Sequence, residues 1–133
     1  MSKFMLSALV VCASTAAFAA PKLPNLELVK KYLQSSATYD AKIATCKGTP
    51  LVPEDDLECW AAHTAKDLSR NPKDTQELIL DAQKLEVAMS KCAAMSGKER
   101  FESRMCTAAN QAEVFISLRL PRTASKLKPL QFK

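Results

Sequence analysis

The chain has 133 residues, 47% hydrophobic and 25% charged, with 19 Lys and Arg against 14 Asp and Glu. That length is enough for one small domain. Two glycines in the whole chain, and no alternating apolar pattern, exclude a sheet-rich fold and predict an all-α one.

In chain order the first feature is an export signal. Lys3 supplies a short positive region, Phe4 to Phe18 is apolar and uncharged, and Ala17-Phe18-Ala19 fits the A-x-A cleavage site. Residues 1–19 are expected to be removed, leaving a periplasmic or secreted chain that starts at Ala20. About 15 apolar residues fall short of the roughly 20 needed to span a membrane. Cys12 is a poor lipidation site, because Val11 before it is not small.

Pro21 and Pro24 lead into a first helix, with Leu26, Val29 and Leu33 at helical spacing. Ser35-Ser36 and Thr38 interrupt it, and Tyr39 to Cys46 resumes it until Lys47-Gly48-Thr49-Pro50 stops it. Asp55, with Glu58 three residues on, predicts the cap of a second helix through Cys59, Ala62 and Leu68. Asn71-Pro72 predicts a third, with Asn as cap and Pro in the first turn. Its stripe of Leu78, Ala82, Leu85, Met89 and Cys92 is continuous up to Ser96-Gly97. The fourth helix has two possible starts, Ser96 or Ser103, and ends at Pro121. The expectation is therefore about four helices.

These helices carry an internal repeat. Cys46 and Cys59 recur as Cys92 and Cys106, and each second cysteine opens the word C-x-A-A-x-x-A, as Cys59 to Ala65 and Cys106 to Ala112. A repeat defines the folding unit, here helix, cysteine, loop, cysteine, helix, over about 26–69 and 71–118. The whole of 20–118 then forms one domain of two hairpins. Four cysteines in an exported chain read as two disulfides, and x12 and x13 spacings lack the short knuckle of structural zinc. Pairing within each unit, Cys46–Cys59 and Cys92–Cys106, suits a helical hairpin that brings the end of one helix to the start of the next. That geometry favours a fourth helix starting at Ser103, because a start at Ser96 carries Cys106 about two turns up. Each closed loop contributes about 3 kcal/mol on the loop-entropy account. The repeated alanines, four apart on one helical face, are packing positions that admit a close neighbour.

One half of the repeat resembles a known pattern. Tyr32-Leu33, a polar break, Ala41 to Cys46, a turn, then Glu58-Cys59 with Ala61 and Ala65 is similar to the small entry-exclusion lipoproteins of conjugative plasmids, as is Asn71-Pro72 before the next helix. The resemblance implies a non-enzymatic protein of the periplasm or membrane surface, working beside a type IV secretion system to block redundant DNA transfer. This chain departs from the family in its two hairpins, its poor lipidation site and its basic tail.

The remaining candidates are few. The stretch 119–133 holds Arg119, Arg122, Lys126, Lys128 and Lys133 with no acid. Such a tail meets an anionic protein or lipid surface, or stands as a solvated end; after export, nucleic acid is the least expected partner. Trp60 is either an interface anchor or a plug between the hairpins. His63 is the sole histidine, and no H-E-x-x-H, G-x-S-x-G or P-loop accompanies it. Asp55-Asp56-x-Glu58 complements the start of a helix better than it makes a Ca²⁺ site. No catalytic residue, metal or cofactor is expected. The functional expectation is a protein-binding module, with a periplasmic inhibitor or immunity protein against a toxin as the alternative.

Overall fold

A computed structural model of the chain describes residues 20–121. Among these the chain forms α-helices and no strand. Seven helices appear where the periodicity predicts about four. The difference comes from two capped breaks and one short insertion.

The first break separates α1, Leu26–Leu33, from α2, Ser36–Ile43. Ser35 is extended at φ −152 and its hydroxyl accepts from Ala37 N at 3.2 Å, so the helix restarts at Ser36 and not at Tyr39. The second break corrects the continuous stripe expected from Leu78 to Cys92. α4, Lys73–Leu80, ends at Asp81, and α5, Ala82–Ala93, begins there. Asp81 sits at φ −136, ψ 99, and its carboxylate accepts from Gln83 N at 3.0 Å and Lys84 N at 3.2 Å. A carboxylate that satisfies two free N–H groups competes with helix continuation.

Two other caps differ in detail from expectation. α3, Leu57–Ser69, is capped by Asp56 and not Asp55, with Cys59 N donating to its carboxylate at 3.1 Å. Asn71 does not cap α4. Its amide donates to Asp67 O at 3.1 Å and so closes the end of α3. The later start of the last helix agrees with the structure: α7 is Arg104–Arg119, with the Ser103 hydroxyl accepting from Cys106 N at 3.2 Å. The segment before it forms the short α6, Gly97–Glu102, capped by Ser96.

α1 and α2 both lie on α3, α4 and α5 both lie on α7, and α6 rests against α7. One core cluster draws on both sets, with Val29, Trp60, Leu68, Ile79, Leu85 and Ile116 at its centre. The six alanines of the repeated word are all buried, which lets helices approach α3 and α7 closely. Cys46 and Cys59 stand at disulfide distance with Cα atoms 5.9 Å apart, as do Cys92 and Cys106 at 5.7 Å. Cys46, three residues past the end of α2, faces the first turn of α3, and Cys92, in the last turn of α5, faces the first turn of α7. The export signal expected over 1–19 lies outside the described residues, as does the basic tail from Arg122 onward. No helix among the described residues is long and apolar enough to cross a membrane.

Candidate partner-binding groove

The second cysteine pair forms one wall of an open groove of about 730 Å³ between α5, α6 and α7. Met89, Ala93 and Ala109 line it with apolar surface beside the two cysteines. Thr107, Asn110 and Glu113 on α7 form the opposite, polar lip. Phe101, on α6, stands at the edge with 87% of its surface exposed. An aromatic ring that exposed costs solvation free energy unless something covers it, and exposed apolar surface beside a groove marks binding sites.

Local chemistry explains why α6 stands where it does. α6 buries no residue of its own. Arg100 holds it by donating Nε–H to Cys92 O at 3.0 Å, which also accepts from Met95 N at 3.1 Å, and Nη2–H to Met95 O at 3.1 Å, just past the end of α5. Below it, Met95 Sδ lies 3.6 Å from Cys106 Sγ, a contact between polarizable sulfurs. The short helix is thus a bracket fixed by the cysteine pair and one arginine. Glu113 has no ion-pair partner among the described residues, so the groove carries one unpaired carboxylate beside apolar surface.

The residues singled out in the sequence are not gathered at this groove, apart from Cys92 and Cys106. Trp60 is fully buried in α3, so in this fold it presents no face to a partner. Its Nε1–H finds no acceptor among the described residues. Arg119, counted with the basic tail in the sequence, is the last residue of α7. Its guanidinium pairs with Asp67 of α3, donates to Thr64 Oγ1 at 3.4 Å, and lies 5.1 Å from the centre of the Phe115 ring. It therefore ties α7 to α3. Arg122, Lys126 and Lys128 lie outside the described residues. His63 is half-buried in α3. Among the described residues no cluster of His, Cys, Asp or Glu is placed to hold a metal ion.

Glu58 has a structural task. Its carboxylate accepts a hydrogen bond from the hydroxyl of Tyr32, which reaches across from α1. Burial of the phenol, then the Glu58 bond and the nearby charges of Glu58 and Asp56, push the Tyr32 pKa up to about 12. Phe101 and Glu113 went unremarked in the sequence, and Met89 figured only as one position of an apolar helical stripe. The one available signal was Phe101 itself, a lone aromatic among Lys98, Glu99, Arg100 and Glu102.

No match is found among protein-family models, curated proteins or solved structures. The functional reading therefore rests on the residues themselves.

Proposed function

We propose that this chain is an exported, non-enzymatic protein-binding module, working beside a conjugative type IV secretion system in the manner of an entry-exclusion protein. The observation that carries the reading is the apolar groove beside Cys92–Cys106, edged by the exposed ring of Phe101. Aromatic anchors beside well-fixed pockets dominate binding between proteins. The partner in this reading is a protein of the secretion machinery or inner membrane, and the basic tail contributes a contact to an anionic surface. Two cysteine pairs at disulfide distance suit the oxidising compartment to which the export signal points. Duplication of one hairpin is supported by two helices packed on a later one, with a cysteine pair linking them, in each half, although the second adds α6.

A mating assay tests the role. With the protein made in the recipient, transfer from a donor carrying the cognate element falls, and Phe101→Ser restores it. Transfer unchanged by the wild-type protein counts against the reading. The rigidity supplied by two staples and a shared core also favours a periplasmic inhibitor or immunity protein, since preorganisation lowers the cost of binding. Protection of cells against a co-encoded periplasmic toxin, with transfer unaffected, selects that second reading.

A further inference from the structure

We infer that the segment of the partner protein that enters the groove between α5, α6 and α7 is basic and apolar. It seats a bulky apolar side chain beside Thr107 and sets a Lys or Arg against Glu113. The inference rests on the reading of this chain as a protein-binding module and names the chemistry of what the module binds.

The shape of the groove follows from helical spacing. Cys106, Asn110 and Glu113 stand at i, i+4 and i+7 on α7, and all three line it. Met89, Cys92 and Ala93 line it from α5 at i, i+3 and i+4. The two helices meet at the cysteine pair, and from there to Glu113 is about 10 Å along α7. An apolar channel along two helices suits an amphipathic helix, whose anchors recur at i, i+3, i+4 and i+7.

The cysteine end has room for a large side chain. Ala93, Gly97 and Ala109 line it with little or no side chain of their own. The two repeated words differ just here. The residue after the second cysteine is Trp60 in one and Thr107 in the other. Trp60 is fully buried, whereas Thr107 is exposed and lines the groove. The second word thus lacks the bulky apolar group that the first supplies from its own helix. A partner side chain placed there also covers the exposed ring of Phe101, and both gain burial.

Charge sets the other end. Two charged side chains line the groove, Arg100 and Glu113. Arg100 donates to Cys92 O and Met95 O, so its guanidinium faces the negative end of α5. Glu113 has no ion-pair partner among the described residues. The charge left to meet a ligand is therefore negative. It repels a phosphate or an acidic segment and pairs with a Lys or Arg.

Titration of the full exported chain, disulfides intact, with helical peptides tests this by amide chemical shifts. The probes are two alanine–glutamine peptides of about sixteen residues, long enough to hold some helix. Each carries one phenylalanine and one lysine about seven positions apart, in opposite orders for the two directions along the groove. The better of the two should shift the amides of Ala93, Thr107 and Glu113. Glutamate in place of its lysine should weaken binding roughly five-fold at low salt. Glu113→Gln, which keeps the shape of the side chain, should erase that difference, and Glu113→Lys should reverse it. Serine in place of the phenylalanine should abolish the shifts, as should Thr107→Trp, which fills the seat. Equal binding of the lysine and glutamate peptides overturns the inference but leaves the groove a docking site, so the reading of a binding module survives. No shift with either peptide also overturns it. Shifts at these amides produced by raising the protein concentration alone overturn it in favour of a second copy. Peptide binding as expected, with transfer unaffected in the mating assay, overturns the role in conjugation and leaves the chemistry of the site in place.

Discussion

Trp60 shows how one residue can read as an interface anchor and serve as core. Its ring is fully buried beside the alanines of α3, yet its N–H has no acceptor among the described residues. A buried, unmatched donor costs about 1–3 kcal/mol. Trp60→Ala should therefore lose about 3–5 kcal/mol through the cavity it leaves. Trp60→Phe removes the donor along with part of the ring, and the two effects oppose each other. Its cost in denaturant unfolding should stay within about 1.5 kcal/mol. A loss as large as that of Trp60→Ala would mean that the N–H is satisfied after all. Tyr32 gives a pH-dependent counterpart. Its phenol, 7% exposed, ionises near pH 12 instead of 10, first because it is buried and then because its O–H donates a hydrogen bond to the Glu58 carboxylate. A folded pKa above the unfolded one contributes stability that is complete below pH 10 and is lost as pH rises from about 10 to about 12. Phenolate absorbance in a Tyr39→Phe background, which isolates Tyr32, should show that late midpoint. Glu58→Ala should lower it without returning it to 10, since burial is the larger cause. A midpoint near 10 in the folded, unmutated pair would contradict this account.

The elements were legible wherever a local signal stood alone, and illegible where one residue type had two uses. Ser103 before Cys106 marks a boundary that the structure keeps, whereas the helix expected to run through Cys46 to Gly48 and Pro50 ends earlier, at Ile43. Asp81 gave no such mark, because an acid on the polar face of an amphipathic helix looks the same as an acid that caps a new one. Only its extended backbone at φ −136 and its two accepted N–H bonds separate the cases. The groove was illegible for a related reason. It depends on α6, which buries nothing and is positioned by Arg100 and by the Cys92–Cys106 pair, so no periodicity announces it. That dependence makes the two staples unequal in consequence. Replacing Cys92 and Cys106 by Ser should cost about 2–5 kcal/mol, and so should replacing Cys46 and Cys59. Only the first change should also release the bracket. Amide exchange over Gly97–Glu102 should then accelerate well beyond the change in global stability, whereas the Cys46/Cys59 variant should leave that segment tracking the whole molecule. Equal acceleration in both variants would show that α6 is held by something other than the adjacent staple.

At the scale of the molecule, the set α1 to α3 and the set α4 to α7 must be joined into one body. A shared core that runs from Val29 through Trp60 to Ile116 supplies most of the joint. The Asp67–Arg119 pair supplies a directional part. It links α3 to the end of α7, with Thr64 as a second acceptor and Phe115 beneath the guanidinium. Sequence alone assigned Arg119 to the tail because it opens a run without acids, and only the contact with α3 claims it for the body. The side chains of Arg119 and Asp67 are 19% and 38% exposed, between a surface pair worth 0–1 kcal/mol and a buried pair worth several. A double-mutant cycle with Asp67→Ala and Arg119→Ala should therefore give a coupling of about 1 kcal/mol, smaller at high salt. Asp67 also pairs with Arg70 at 3.4 Å, so Asp67→Ala removes more than one contact, and the cycle is needed to isolate the pair between halves. If the pair fastens the two halves, either single change should leave one cooperative transition but lower its midpoint, because the core still couples them. Two separated transitions in either variant would instead make this ion pair, and not the core, the feature that holds the halves together.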